Sequence, residues 1–558
     1  MPEVSISLHE YFLIHMFLHD EMSVSGFAST VLLLGGLLLA FTIAGCDGVL
    51  QEEPTSFVGP DNFYRSEADA ERALAGAYNL ISQNPFGGYI GSYQWLRMTD
   101  KATAEMTGLG DHENLMEEYR WGPSTSERNV FALTWDAAYE GINAANAVIN
   151  RVPDVPEMSE SAKQQMVAEA RFIRGIHYYY LAGFWGNVPI KRNETTSLEN
   201  LEQANAPEDS VYAFAINNLE EAIPNLPVDN EPGRATKGAA RTLLAKMYLQ
   251  RGALNAENGL PDERQIAQSG DYQAALNQLN QVIQSNQYEL PTDVVEQYND
   301  LFWEPQGEGQ NPEVIFAYQQ DPTKGSYSGG LPSLIGSDTG GGVLASWHSN
   351  SVGQSSVTFY DSMVESGDLR SQVTFLEEIP RRGQEPVVYN RQDYENDGYK
   401  EDLPVFRKYA KAETGIQEEN EYVILRYADV LLMKAEAVNE INDGPTSEAY
   451  GPLNQIRERA GLDPVSGLTY EEFREEVYTQ RRRELILEGH GWHTLQRFFE
   501  IGTQKVVESA EIDAQFPPST KFGPQLDRLE IDDPKDRLYP IPTNAIARNP
   551  QLQQNPGY

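Results

Sequence analysis

Apolar residues recur along most of this chain at intervals of three and four, the period of a helix with one buried face. The pattern is clean from Ser66 to Gln83, where Ala70, Ala73, Leu74, Ala77, Leu80 and Ile81 share a face. Ser66 stands as its N-cap, with Asp69 in the first turn. A second helix is predicted from about Glu127 to Arg151, ended by Pro153 and Pro156. The next pair spans Ser161 to Phe184 and residues 208 to 223. A third spans Thr236 to Arg251 and Asp271 to Gln284, and a fourth Glu421 to Ile441 and Ser447 to Ala460. Residues 470 to 500 return to helix, and the stretch from Leu538 is proline-rich and extended.

Helix pairs recurring in this way predict tetratricopeptide-like repeats. Small residues (Ala239, Ala245, Ala428, Ala435) stand where helices must approach closely. The spacing is irregular, so the repeats are degenerate, and a generic helical bundle is the alternative. The fold class expected is mostly α, with about four helix pairs in one right-handed superhelix sharing a continuous core.

Two stretches break the pattern. Asn84 to Trp95 is a glycine-rich aromatic loop. Between Pro291 and Glu419, Gly, Pro, Ser, Tyr and Trp dominate, with short strands expected at Val314 to Tyr318 and Val405 to Tyr409. An irregular insertion of this length in an ordered protein usually carries function.

The first apolar run, Val31 to Ala44, is too short for an ordinary membrane span and suits a secretory h-region. It ends in Ile43-Ala44-Gly45-Cys46, small residues before the sole cysteine of the chain. That placement predicts a lipoprotein leader (1–45), cleavage before Cys46 and a lipid on its thiol. The alternative is a transmembrane helix from Phe27 to Gly45. No Lys or Arg precedes Arg65, so the usual positive n-region is missing, and Met22 is a second candidate start. Residues 46–60 read as an acidic tether. Residues 61–558 read as one domain: 61–290 with three helix pairs, 291–419 as the insertion and 420–558 with the fourth pair.

The net charge is −41, from 83 acidic against 42 basic residues, which excludes nucleic acid as a natural partner. Only 13 of the basic residues are Lys. An acidic, lysine-poor surface resembles those of proteins from salt-rich environments, where a Debye length of about 3 Å at 1 M salt screens self-repulsion. The melting temperature is expected to fall as salt is removed.

Three separated segments resemble the SusD/RagB family of outer-membrane nutrient-binding lipoproteins. The first is Cys46-Asp47 through Leu50 to Glu52-Glu53-Pro54. The second begins at Arg426-Tyr427-Ala428-Asp429-Val430-Leu431-Leu432-Met433 and continues through Arg459-Ala460-Gly461-Leu462 and Arg481-Arg482-Arg483-Glu484-Leu485 to Glu488-Gly489-His490 and Trp492. The third is Pro540-Ile541-Pro542 with Asn549-Pro550, Leu552 and Gln554-Asn555-Pro556-Gly557-Tyr558. Ala170-Arg171-Phe172-Ile173-Arg174-Gly175 adds to them, and together they cover nearly the whole mature chain. The resemblance implies four tetratricopeptide-like repeats, a variable insertion on the ligand side, a lipid anchor facing the cell exterior, and a TonB-dependent, SusC-like transporter as partner. It also implies capture of a nutrient, usually an oligosaccharide.

Sugar recognition needs flat apolar surface with hydrogen-bonding rims, which rigid aromatics supply. The candidates are Tyr89, Tyr93 and Trp95 in the first loop, Tyr298 and Trp303, and Tyr327 and Trp347 in the insertion. Arg97, Asn299 and Asp300 are candidate polar partners. No Gly-x-Ser-x-Gly elbow and no cysteine beyond Cys46 is present, so no catalytic constellation stands out. His490, His493 and Glu488 lack the His-Glu-x-x-His spacing, and neither a metal nor a cofactor is expected. Gly340-Gly341-Gly342 follows no strand-to-helix pattern. Arg481-Arg482-Arg483 is expected to pair with Glu484 and Glu488 at helical spacing. The expected activity is capture and release without bond cleavage. The rivals are a helical scaffold for a peptide or other non-glycan nutrient, and a secreted hydrolase.

Overall fold

A helix begins where the first periodic stretch predicts one. In the computed structural model, α1 spans Glu67–Asn79, with Ser66 and Asp69 closing a reciprocal capping box and Ala70, Leu74 and Ala77 buried. The structure describes residues 63–81, 90, 93–107, 116, 119, 121–122, 130–197, 199, 201–255, 260, 264–302, 311–319, 354–376, 378–379, 387–388, 405–409, 421–513 and 534–558. Tyr64–Tyr558 form one compact unit. The expected lipoprotein leader, Cys46 and the expected acidic tether lie outside the described residues. Among the described residues no helix is long and apolar enough to cross a membrane.

The fold is mostly helical. After α1 come α2 (Tyr93–Thr99), α3 (Val130–Arg151), α4 (Glu160–Trp185), α5 (Glu208–Ala222), α6 (Lys237–Gly252), α7 (Asp271–Gln284) and α8 (Val294–Phe302). Ser159 and Thr236 cap α4 and α6 through their hydroxyls. Each helix from α3 to α6 packs on its successor, with α1 against α3 and α4. Beyond the insertion, α11 (Tyr427–Asn442) packs on α7, on α12 (Ser447–Arg459) and on α13 (Tyr470–Leu485). The series ends in α14 (Gly491–Arg497), α15 (Phe499–Asp513) and α16 (Thr543–Arg548). One contact explains a glycine: a Cβ at Gly175 of α4 would come 3.0 Å from Leu219 of α5.

The described part of the insertion holds helices that its composition does not predict. It contains α8, α9 (Val357–Glu365) and α10 (Ser371–Thr374). A two-stranded sheet pairs β2 (Val314–Tyr318) antiparallel with β8 (Tyr422–Arg426). The helix expected from Glu421 therefore starts only at Tyr427. Tyr-Val-Ile-Leu is rich in strand formers, and all of Tyr422–Arg426 are buried. The strand expected at Val405 to Tyr409 is confined to Val405–Phe406. The aromatic loop also ends early, since α2 begins at Tyr93.

The C-terminal stretch is held on α4. Tyr539 N donates to Phe184 O at 2.8 Å, Trp185 Nε1 to Pro540 O at 3.0 Å, and Asn555 Nδ2 to Trp185 O at 3.1 Å.

Candidate functional site

A second, four-stranded sheet is assembled from pieces only two residues long. β1 (Met106–Thr107), β3 (Gln354–Ser355), β7 (Val405–Phe406) and β4 (Phe375–Leu376) lie in the order β1-β3-β7-β4, all antiparallel. Thr107 faces Gln354, Gln354 faces Val405, and Val405 faces Leu376. These four residues form one rim. Thr107 leads into segment 108–115, segment 320–353 arrives at Gln354, segment 389–404 arrives at Val405, and Leu376 leads out toward a hairpin of β5 (Glu378–Ile379) and β6 (Val387–Val388). The register thus brings the described ends flanking three sequence-distant segments to one place. Segment 320–353, which carries Tyr327 and Trp347, runs to this rim from Gln319 beside β2.

Two-residue strands cannot hold a sheet by their own ladder. The opposite end of the sheet is fixed by packing and charge. Phe375 and Phe406 lie 5.5 Å apart, with Phe359 of α9 at 6.0 Å from Phe375. Ser356 caps α9 and its hydroxyl donates to Ala104 O at 2.6 Å. Glu105, next to β1, is ion-paired with Arg482. Lys408, two residues past β7, donates to Glu488 at 2.5 Å and to the carbonyls of Glu484 and Ile486 at 2.8 and 3.1 Å.

The Lys408 contacts belong to a buried cluster of four cations and four carboxylates. Glu484 meets Arg426 at 2.7 Å, Arg370 at 3.0 Å and also Arg459. Glu313 meets Arg426 at 2.6 Å and Arg459 at 2.7 Å. Glu488 meets Arg426 at 2.7 Å as well as Lys408, and Asp368 meets Arg370 at 2.6 Å. Burial would raise the Glu484 carboxyl, but the charges of Arg459, Arg426, Arg370 and Lys408 outweigh it and hold its pKa well below the usual range. Burial pushes Lys408 down to about 8 against the pull of Glu488. The arginine run does not pair with Glu484 and Glu488 as expected. Successive helical residues point about 100° apart, so Arg481 turns to Asp429 (2.9 Å), Arg482 to Glu105 and Arg483 to Asp368 (3.5 Å).

Two sequence candidates lie inside this framework. Trp95 is 0 % exposed, edge-on to Tyr180 (centroids 4.4 Å) and Phe184 (5.4 Å). Tyr298 is 1 % exposed and its hydroxyl donates to Glu484 at 3.0 Å. Both are core residues, and neither offers a ring face to a ligand from solvent. Their helical spacing carried that signal: Val294, Tyr298, Leu301 and Phe302 make one buried face of α8. Arg97 is buried too, whereas Asp300 is exposed. Tyr93 opens α2. Tyr89, Trp303, Tyr327 and Trp347 lie outside the described residues. Trp303 directly follows Phe302, which packs on Tyr409 at 5.0 Å.

The two histidines are also core. His493 stacks on Tyr179 at 4.8 Å, and His490 Nδ1 lies 3.2 Å from Lys246 Nζ. Burial holds both imidazoles well below their usual pKa. Among the described residues no group of His, Cys, Asp or Glu is arranged to hold a metal ion. Glu421, at the start of β8, is pushed up to about 7 by burial, against a hydrogen bond from Gln319.

Comparison with known proteins follows the same division. A profile described as "SusD family" matches residues 347–558, and one described as "Starch-binding associating with outer membrane" matches residues 58–249. SusD-like protein P2 of Formosa agariphila is 26% identical over 542 residues, covering 94% of this chain and 98% of that protein. A solved SusD homolog from Bacteroides thetaiotaomicron aligns over 91% of this chain and 100% of its own, with TM-score 0.72 and 23% identity. A laminarin-binding SusD-like protein aligns over 89% and 100%, with TM-score 0.62 and 22% identity. At these identities the structural likeness is one of fold.

Proposed function

Since this chain belongs to the SusD/RagB family, we propose that it captures a glycan at the rim of the four-stranded sheet and hands it, uncleaved, to a TonB-dependent, SusC-like transporter. The observation that carries this reading is the register that places Thr107, Gln354, Val405 and Leu376 in one row. It brings the described ends that flank segments 108–115, 320–353 and 389–404 to one edge of a base fixed by buried charge, and Tyr327 and Trp347 belong to the second of these segments in sequence. A preorganised base lowers the ordering cost of binding. The resemblance of one matched profile to starch-binding proteins, and the laminarin-binding neighbour, support a glycan as the ligand class. A multiply acylated Cys46 would hold the protein at the outer membrane, facing outward, and raise its effective concentration beside the transporter.

The test is native electrophoresis of the full chain through a panel of soluble polysaccharides in high salt, with released reducing sugar assayed alongside. Retardation by one polysaccharide without released sugar is expected, and Tyr327→Ala, Trp303→Ala and Trp347→Ala should weaken it. Retardation with released sugar would turn the reading to a hydrolase. No retardation by any polysaccharide would turn it to a peptide or other nutrient.

A further inference from the structure

A cavity of about 320 Å³ lies beside the same sheet, between α9, α13 and α15. Its volume is within the range of small-molecule sites, roughly 300 to 1,000 Å³. Phe359 and Tyr478 supply aromatic surface, and Thr358, Ser362, Thr479 and Ser509 supply hydroxyls. Thr358 Oγ1 donates to Ser509 Oγ at 3.0 Å and Ser509 Oγ donates in turn to Ala104 O at 3.4 Å, which leaves these two hydroxyls as acceptors. The buried Tyr478 hydroxyl has no hydrogen-bond partner in the protein. It is closed off from solvent.

Charge decides the ligand class. The wall carries Glu105, Glu475 and Glu508 against Arg482, Arg483 and Lys505. Each cation already faces a carboxylate: Arg482 that of Glu105, Arg483 that of Asp368, and Lys505 those of Glu475 and Glu508 at 3.3 Å. An anion would find no spare positive charge there. A neutral polyhydroxylated ring finds aromatic surface and both donors and acceptors. Resting on the glycan-binding reading above, we propose that this cavity is a second subsite, separate from the loop-bearing rim, that takes one neutral sugar unit. Its walls join the rim directly, since Glu105 precedes β1 and Phe359 follows β3 by four residues.

Saturation-transfer NMR of the full chain with glucose, galactose, mannose and xylose tests the subsite, with glucuronate as the charged control. Thr479→Trp and Ser362→Trp fill the cavity from its partly exposed edge, and unchanged circular dichroism and Tm verify their folds. At least one neutral sugar should give transfer that falls tenfold or more in both filled variants and persists in Trp347→Ala. No transfer to any neutral sugar, or transfer unchanged by both fillings, overturns the subsite. The polysaccharide gel reads the rim independently. Retardation that survives while transfer fails removes the subsite alone, and transfer that survives while every polysaccharide fails removes the proposed function of the rim alone.

Discussion

Two helices of this protein lie against the core and are held by opposite chemistry. In α4 the buried residues are mostly apolar: Phe172, Ile173, Ile176, Leu181 and Phe184 among them. In α13 they include Gln480, Arg481, Arg482 and Glu484. Apolar packing is non-directional and tolerates small adjustments of position. A buried charge cluster is directional and stable only when every member has its partners. The helix pairs need the first property, because each simply lies on the next. The four-stranded sheet needs the second, because strands of two residues carry too few ladder bonds to set their own position.

The largest effect that sharpens this contrast is expected from Glu484→Gln, which keeps the shape and removes one charge. Arg426, Arg459 and Arg370 would then face three carboxylates with Lys408 still charged beside them. Removal of one member of a buried ionic set costs about 3–5 kcal/mol, measurable by denaturant unfolding.

Acid should reach the same weakness. Burial opposes the charges of Asp429 and Glu484, but surrounding cations outweigh it, Lys246 and Arg481 for Asp429 and Arg459 and Arg426 for Glu484. A carboxyl with a depressed folded pKa binds its proton more readily in the unfolded chain. Its contribution is therefore complete above the unfolded value, about 4, and is lost as pH falls through the folded one. The thermal midpoint should drop below about pH 4, and the drop should be smaller in Glu484→Gln. An equal drop in both proteins would contradict the assignment.

Lys408→Met should cost somewhat less, about 3 kcal/mol, because the lysine's own charge is already disfavoured by burial. Adding Glu488→Gln restores the balance of charge at three against three, so the double variant should recover part of the loss. Additive losses would show that the pair is not coupled. The smallest effect belongs to the apolar region. Ile176→Val in α4 should cost only about 0.5–1.5 kcal/mol, and a loss as large as that of Glu484→Gln would erase the contrast between the two regions.

The same contrast explains what was legible in the sequence. The helix pairs were readable because an apolar face repeats every three to four residues, and Ser66 with Asp69 announced the first helix start. The charge cluster was not, since its members come from Glu313, Asp368, Arg370, Lys408, Arg426, Arg459, Glu484 and Glu488, and no period links them. Family resemblance marked Arg426, Arg459, Glu484 and Glu488 as motif positions without saying what they touch. Trp95 and Tyr298 were misread for a local reason: polar neighbours, and nearby glycines in the case of Trp95, masked short amphipathic helices. The rim was hidden because its strands are two residues long and are paired only by the fold.

The central proposal is that glycan is held at the rim by aromatics of the segments that meet there, Trp347 first among them, on a base that the charge cluster fixes. Affinity electrophoresis of the wild type and Trp347→Ala, on the polysaccharide that retards the wild type most, tests it most directly. The account predicts retardation of the wild type, at least a tenfold loss of affinity in Trp347→Ala, and an unchanged Tm. Equal retardation of Trp347→Ala, Trp303→Ala and Tyr327→Ala would contradict it and place the glycan elsewhere on the molecule.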